Sequence, residues 1–369
     1  MNVEKKITEK MAKVGEDIHY EAEITQTNKG CFARDVVFTD IAQVKGLTLN
    51  KESIAVKDAS GKPLTQGEDY TVSYLTEEEL KDGKFTAYNG ESVEGYTGFS
   101  LQFKGKYANM GNENIDHVVA DKETTNSSYS KGEYEQANAN MTTKLVVTYS
   151  MKAGDELAGK DIKNYAESPN TKNTNGDLIP NDEDIPSGGD YSEAKTKGEP
   201  PQMTHEKAVK EKKTAKGDTL HYTLTTKGKI GIAENVVITD TVTSKNLKYD
   251  KKSVKVMKNK DDITKSCKIT FGEYNFTIET KTNLTKADTI TVTYSATATN
   301  DKKVDNVSTA KADNIDPIKA KQTVTPTPKK KSVIEKIASQ TGDMNKVLPY
   351  LVIILVAGGS LVYYIRKRR

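Results

Sequence analysis

The residues best suited to chemistry are a lysine, an aspartate and an asparagine that recur at equivalent places in two segments of the chain. The lysine precedes the aspartate by 35 residues in the first segment and by 33 residues in the second. The two sets are Lys5, Asp40 and Asn164, and Lys207, Asp240 and Asn306. A buried amine loses its charge and becomes nucleophilic, a buried acid can hold and pass a proton, and folding can hold an amide within reach. These residue types could therefore carry out one attack of an amine on an amide, if the fold buries them together.

Alternation of apolar and polar residues along the predicted strands indicates where these side chains point. Residues two apart in a strand share a face, so Lys207 lies with Val209, and Asp240 lies with Ile238. The same comparison places the other four side chains on apolar faces. All six are therefore predicted to point into the protein interior.

Each residue type also has an ordinary role. An aspartate at a strand end often opens a turn, an asparagine is a turn residue, and most lysines stay in water. Lys6 and Lys210 are alternative amines, and they lie on the opposite strand face. The sequence leaves these alternatives open.

The elements that would position these residues form an internal repeat. The segment EKKITEKMAKVGEDIHYEAEI near the start aligns without a gap with EKAVKEKKTAKGDTLHYTLTT, which begins at Glu206. The register continues through DVVFTD and NVVITD to LVVTYS and ITVTYS. Each copy consists of short runs rich in Val, Ile, Thr and Tyr with a period of two, which predicts an antiparallel β-sandwich.

The order GDTLHYTLTT, VVITDTV and ITVTYSATA, followed by an asparagine with small residues, resembles the immunoglobulin-like stalk and pilin domains of Gram-positive surface proteins. The resemblance implies an all-β chain with two tandem immunoglobulin-like β-sandwiches. The first would span residues 1–198, with a polar insertion near 106–140, and the second would span residues 199–325.

Several domains of that family join a lysine on the first strand to an asparagine on the last through a self-formed isopeptide bond, assisted by a buried acid. The resemblance implies one bond between Lys5 and Asn164, assisted by Asp40, and one between Lys207 and Asn306, assisted by Asp240. Each domain would react once, on itself, so the chain is not expected to be an enzyme with turnover. Neither a cofactor nor a metal is expected.

The end of the chain has a three-part pattern. Residues 347–365 contain no charged residue and are long enough, as a helix, to cross a bilayer of roughly 30 Å. Residues 366–369 are all basic and are predicted to stay in the cytoplasm, so the preceding chain would lie outside the cell.

Residues 326–346 form a linker that ends in a Thr-Gly pair, and this arrangement resembles the cell-wall sorting signal of Gram-positive surface proteins. The resemblance implies that a sortase cuts between Thr341 and Gly342 and joins the chain to a peptidoglycan precursor. Ala338 and Ser339 stand where that family usually has Leu and Pro, which leaves the sortase class open.

Composition agrees with an exported chain. Charged residues make up 29% of the sequence, but the net charge is only +3, which gives no case for nucleic-acid binding.

Cys31 and Cys267 lie in different copies, so no disulfide framework is predicted. The N-terminus has no apolar signal segment, and an exported chain is expected to have further sequence upstream. The run at 170–190 is rich in oxygen ligands for calcium, but a solvated connection between the last two strands is favoured.

Three functions follow from these features. The first is a wall-anchored stalk that holds another domain away from the cell. The alternative is an adhesin that binds a host or matrix ligand through the polar insertion. A polymerising pilin subunit is third, because the Tyr-Pro-Lys-Asn type of motif typical of major pilins is absent from the sequence.

Overall fold

Strands make up nearly all of the regular structure in this computed structural model. The residues that it describes are 1–25, 32–33, 35–111, 142–169 and 189–328. Within them no α-helix occurs, and no helix is long and apolar enough to cross a membrane. The predicted all-β fold is confirmed, while the predicted span at 347–365 and the basic tail at 366–369 lie outside the described residues.

The strands of the first sandwich are β1 (Asn2–Ile7), β2 (Asp17–Thr25), β3 (Phe32–Ala33), β4 (Val37–Ala42), β5 (Leu47–Asp58), β6 (Tyr70–Tyr74), β7 (Lys84–Thr86), β8 (Ser92–Glu94), β9 (Thr97–Phe103), β10 (Met110–Gly111), β11 (Lys144–Ala153), β12 (Asp161–Ser168) and β13 (Asp190–Lys197). Those of the second are β14 (Gln202–Val209), β15 (Lys213–Thr214), β16 (Thr219–Ile230), β17 (Val237–Val242), β18 (Leu247–Tyr249), β19 (Lys255–Lys258), β20 (Asp261–Asp262), β21 (Lys268–Phe271), β22 (Asn275–Glu279), β23 (Thr289–Ala298), β24 (Val304–Ala312) and β25 (Ile315–Pro326). Short 3-10 helices occupy Lys81–Gly83, Gly105–Ala108, Asp155–Leu157, Lys251–Ser253 and Thr264–Ser266.

The two sandwiches have the same strand order. In the first, one sheet runs β1-β2-β11-β5 and the facing sheet runs β13-β12-β4-β9-β6. In the second, β14-β16-β23-β19 faces β25-β24-β17-β22-β21, with β20 and β15 added at the edges. All of these pairings are antiparallel except β15 with β25, which is parallel. The repeated sequence phrases therefore form equivalent strands.

The interior of each sandwich follows from the alternation in its strands. In β2, every second residue from Ile18 to Ile24 is buried, and the matching face of β11 buries Leu145 and Val147. Apolar side chains from both sheets meet in one core in each sandwich. This alternation fixes which side chains can reach the space between the sheets.

The lateral edge next to β1 is closed by side chains of the last strand. Asp190 on β13 accepts the Val3 N–H at 2.9 Å, and Ser192 accepts the Lys5 N–H at 3.2 Å. In the second sandwich, Gln322 on β25 donates to the Lys207 carbonyl at 2.7 Å. The first and last strands thus lie side by side although they belong to different sheets.

Two predicted boundaries are shifted by the structure. Glu199 still pairs with the first sandwich, since its N–H donates to the Ala12 carbonyl at 2.8 Å. Strand β25 runs to Pro326, just past the predicted end of the second sandwich at residue 325. A strand continues as long as its backbone has a hydrogen-bonding partner. The local sequence at the end of a strand does not show whether such a partner is present.

The predicted insertion near 106–140 begins within the first sandwich. Tyr107 and Met110 are buried, and they belong to the core. The Gly111 N–H donates to the Thr142 carbonyl at 2.9 Å, which joins the two flanks of residues 112–141. Residues 112–141 themselves lie outside the described part of the chain.

Candidate functional site

The structure buries all six of the predicted polar residues. Asp40, Asn164, Asp240 and Asn306 are 0% exposed, and Lys5 and Lys207 are 6% and 5% exposed. In each sandwich, the lysine comes from the first strand in one sheet, while the aspartate and asparagine come from neighbouring strands in the other sheet. The alternation inferred from the sequence thus brings each set together in the interior.

In the first sandwich, the three side chains are in direct contact. Lys5 Nζ donates to Asp40 Oδ2, to Asn164 Oδ1 at 2.7 Å and to the Tyr165 carbonyl at 3.4 Å. These three acceptors match the three protons of a charged amine. The amine therefore lies beside both the acid and the amide.

Tyrosines enclose this group. The Tyr149 hydroxyl donates to Asp40 Oδ2 and accepts Asn164 Nδ2–H at 3.4 Å. Its ring stacks on Tyr20 with 5.1 Å between centroids and meets the edge of Phe99 at 5.0 Å. These rings exclude water from the amine, the acid and the amide.

Burial determines the electrostatics of the first set. It lowers the pKa of Lys5 from 10.5 to about 8, although Asp40 acts in the opposite direction. It also raises the pKa of Asp40, while Lys5 opposes that rise. Both changes favour moving the proton from the ammonium to the carboxylate, which leaves a neutral amine next to a neutral acid.

The second sandwich has the same set with different hydrogen bonds. Lys207 Nζ donates to Asp240 Oδ2 and to the Tyr294 hydroxyl at 3.0 Å. That hydroxyl also accepts Asn306 Nδ2–H at 3.0 Å. Asn306 Oδ1 is buried and has no hydrogen-bond partner among the described residues. Burial lowers the pKa of Lys207, as it does for Lys5.

Two positions at which the copies of the repeat carry different residues explain part of the difference between the two sites. The Tyr249 hydroxyl donates to Asp240 Oδ1 at 2.7 Å, and the equivalent residue in the first sandwich is Leu49. Tyr249 lies opposite Ala296 in strand register, whereas Leu49 lies opposite the larger Met151. The small alanine leaves room for the tyrosine, so Asp240 has a donor that Asp40 lacks.

A glycine holds the acid's strand in place in the first sandwich. A Cβ atom on Gly98 would lie 2.2 Å from the Asp40 carbonyl oxygen, which is far inside contact distance. Strand β9 can approach β4 this closely because residue 98 has no side chain. The backbone position of Asp40 therefore depends on Gly98.

The structure corrects one expectation about the strands. The asparagines lie on β12 and β24, the penultimate strands of their sandwiches, because β13 and β25 follow them.

The remaining candidate residues lie away from both sites or outside the described part of the chain. The alternative amines, Lys6 and Lys210, are exposed and do not enter either site. Thr341 and Gly342 lie outside the described residues, as do residues 170–188 of the run considered for calcium. Within the described ranges, no group of His, Cys, Asp and Glu could hold a metal ion.

Sequence reasoning missed the tyrosines of the site. Tyr20 and Tyr222 recur in the HY pairs, and Tyr149 and Tyr294 recur in the TYS phrases, so the repeat itself contained the signal. Their inward direction follows from the same alternation that placed the lysines. Tyr249 could not be found in this way because its counterpart is a leucine.

No protein-family model and no curated protein matches the sequence. Among solved structures, the chain is similar to the C-terminal domain of the Streptococcus pyogenes antigen I/II-family protein AspA, with 12% identity and a TM-score of 0.35 over 88% of this chain and 99% of that one. It is also similar to the collagen-binding domain from a Staphylococcus aureus adhesin, with 13% identity and a TM-score of 0.23 over 34% of this chain and 96% of that one. A third similar structure is the collagen binding subdomain of the Enterococcus faecalis surface protein ACE, with 14% identity and a TM-score of 0.22 over 34% of this chain and 96% of that one. Because these TM-scores are all below 0.5, the likenesses support no conclusion about function.

Proposed function

We propose that the chain is a bacterial surface stalk whose two sandwiches are each locked by a self-formed Lys-Asn isopeptide bond. The observation that supports this most directly is the contact between Lys5 Nζ and Asn164 Oδ1 at 2.7 Å, next to a buried aspartate. The second sandwich buries the same three residue types on equivalent strands. Burying a lysine costs folding free energy. Its presence beside an acid and an amide in both sandwiches favours a chemical role over a packing role.

The proposed reaction exchanges one amide for another. The neutral lysine Nζ attacks Cγ of the asparagine, and the Nζ–Cγ bond forms while the carbonyl π bond opens onto Oδ1. The Cγ–Nδ2 bond then breaks, Nδ2 gains a proton and leaves as ammonia, and Nζ loses one proton. The aspartic acid donates a hydrogen bond to Oδ1 and carries protons between these groups. Holding the partners in contact supplies up to roughly 7–11 kcal/mol of the barrier.

A stalk would gain mechanical strength from such bonds. Each bond would close a covalent loop, from residue 5 to residue 164 and from residue 207 to residue 306. Force passing along the chain would cross these loops through covalent bonds instead of through rows of hydrogen bonds. This property suits a protein that holds another domain away from a cell.

The proposal includes attachment to the cell wall. A sortase would cut between Thr341 and Gly342, and residues 347–365 would hold the chain in the membrane until that step. The partners would be the sortase and a peptidoglycan precursor. Replacing Thr341 and Gly342 by Ala is expected to leave the protein in the membrane fraction instead of the wall fraction.

A digest of the purified protein tests the isopeptide bonds. Tandem mass spectrometry is expected to find one branched peptide joining Lys207 to Asn306 and another joining Lys5 to Asn164. Lys207→Ala should remove only the former, and Lys210→Ala, which changes an exposed neighbour, should remove neither. Linear peptides alone in the wild-type digest would refute the proposal.

A second candidate function, ligand binding by the first sandwich, is favoured by the closed base of the polar insertion. The hydrogen bond between Gly111 and Thr142 joins the flanks, so the residues between them can be removed without opening the core. Deleting residues 112–141 is expected to leave the sandwich folded and to abolish binding to an extracellular-matrix preparation. Unchanged binding would exclude the insertion as the contact surface.

A further inference from the structure

In both sandwiches, the nitrogen that would leave as ammonia contacts a tyrosine hydroxyl. Asn164 Nδ2 donates to the Tyr149 hydroxyl at 3.4 Å, and Asn306 Nδ2 donates to the Tyr294 hydroxyl at 3.0 Å. The two tyrosines are equivalent residues, each following a threonine in the repeated phrase TYS. The contact therefore recurs in two independent copies of the site.

The same hydroxyl is also linked by hydrogen bonds to the lysine that is the source of the proton, through Asp40 in the first sandwich and directly in the second. In the first sandwich, Tyr149 donates to Asp40 Oδ2, which accepts from Lys5 Nζ as well. In the second, the Tyr294 hydroxyl accepts directly from Lys207 Nζ at 3.0 Å. Each hydroxyl thus lies between a group that must lose a proton and the nitrogen that must gain one.

We infer that Tyr149 and Tyr294 are catalytic residues that pass a proton to the leaving nitrogen of the asparagine. This inference rests on the proposed isopeptide reaction and adds a residue to it. Once the Nζ–Cγ bond has formed, Nδ2 is no longer conjugated with a carbonyl and can accept a proton. The tyrosine hydroxyl is hydrogen-bonded to this nitrogen in both sandwiches, and it is a neutral group that can donate a proton.

The proton balance closes in both sandwiches. The hydroxyl gives its proton to Nδ2 as the Cγ–Nδ2 bond breaks and ammonia leaves. It regains a proton from Asp40 in the first sandwich, and Asp40 takes one from Lys5 Nζ. In the second sandwich, the hydroxyl regains its proton directly from Lys207 Nζ. The net transfer is one proton from the lysine nitrogen to ammonia.

A buried tyrosine suits this role because its hydroxyl stays neutral. Burial and the nearby aspartate raise the pKa of Tyr149 and of Tyr294 well above the usual 10. The hydroxyl therefore keeps a proton to donate until Nδ2 is ready to accept it. Stacking on a second tyrosine ring fixes the hydroxyl in each site, at centroid distances of 5.1 Å.

The test compares Tyr294→Phe and Tyr149→Phe with the wild type in the full 369-residue chain. The protein is made by cell-free translation, synthesis is stopped, and branched peptides from each sandwich are quantified against time. Tyr294→Phe is expected to slow bond formation in the second sandwich by about 100-fold. The first sandwich should react at the wild-type rate, and Tyr149→Phe should give the opposite pattern. Each chain thereby contains its own control for folding and handling.

A pH profile separates proton transfer from packing. The hydrogen bond from Lys207 Nζ to Tyr294 favours the ammonium form, so removing the acceptor should shift the midpoint of the rate profile to lower pH. Each Phe substitution is also made together with Asn164→Ala and Asn306→Ala, where no covalent bond can form, so that thermal unfolding reports the effect of the substitution on packing alone.

Three results would overturn the inference. Bond formation at the wild-type rate in both Phe variants would exclude the hydroxyls, and the isopeptide proposal would stand without them. In Tyr294→Phe, slower formation with an unmoved pH midpoint and lower thermal stability would show a packing role only. Absence of branched peptides from the wild type would refute the proposed function and this inference with it.

Discussion

The Nζ atom of Lys5 lies 2.7 Å from the Oδ1 atom of Asn164, although 159 residues separate them in the chain. Both side chains are buried, and Asp40 lies against the same amine. A contact this distant in sequence is fixed only after both sheets have formed. The proposed reaction would therefore begin late in folding and would trap the folded state.

Loss of the covalent bond should lower stability. Closing a loop of about 100 residues is worth about 5 kcal/mol in the chain-entropy account of disulfides, and the same order applies here. Asn306→Ala is therefore expected to lower the free energy of unfolding of the second sandwich by about 5 kcal/mol in urea denaturation. Lys210→Ala is the matched control and should change it little. Equal stability of Asn306→Ala and the wild type would show that no bond forms there.

Stability should depend on pH only where the lysine remains free. In Asn164→Ala, Lys5 keeps its amine, whose pKa is about 8 in the folded protein and 10.5 when unfolded. The unfolded chain binds more protons between these values, so stability rises as pH increases from about 8 to 10.5. The rise should approach about 3 kcal/mol in urea unfolding.

The wild type is the control for that pH dependence. An amide nitrogen does not titrate, so the cross-linked first sandwich should lack the rise, and the second sandwich is the same in both proteins. Parallel stability curves for the two proteins between pH 8 and 10.5 would contradict the account.

The extra tyrosine of the second site should contribute to its stability. Tyr249→Phe removes the donor to Asp240 Oδ1 and leaves a buried oxygen unpaired, which costs about 2 kcal/mol. The loss should be measured in an Asn306→Ala background, where the covalent bond cannot mask it. Tyr274→Phe, which removes a hydroxyl at the surface, should have almost no effect. Equal effects of the two substitutions would exclude a role for the Tyr249 hydroxyl.

Pulling experiments should reveal which parts of each sandwich the bonds protect. Strands β13 and β25 follow the asparagines and lie outside the covalent loops. At about 3.4 Å per residue, the wild type should release roughly 100 Å from the first sandwich and roughly 70 Å from the second. Asn164→Ala with Asn306→Ala should release several hundred ångströms from the first sandwich. Similar extensions for the two proteins in single-molecule force spectroscopy would rule out the covalent loops.

The sequence predicted the fold well because the repeat and the period of two carry most of the information. The inward direction of Lys5 and Asn164 follows from their apolar neighbours two residues away: Ile162 and Ala166 are fully buried, and Ile7 is partly buried against the same core. Equivalence between copies was enough to pair each lysine with one aspartate. These features are local in the chain, so they can be read without knowing the fold.

Other features depend on contacts that no local pattern reports. Strand β13 pairs with β12 across the intervening residues 170–188, and the register of that pairing cannot be read from either strand alone. The place of Tyr249 depends on the size of Ala296 across the sheet. The hydrogen bonds of Tyr149 and Tyr294 require strands from both sheets at once. Such pairings become visible only in three dimensions.

The intact mass of the 369-residue chain, purified from a host without sortase, is the most direct test of the two isopeptide bonds. The wild type is expected to fall short of its sequence mass by two ammonia molecules. Lys207→Ala and Asn306→Ala should each fall short of their own sequence masses by only one, and Lys210→Ala by two. A wild-type mass equal to the sequence mass would show that neither isopeptide bond forms.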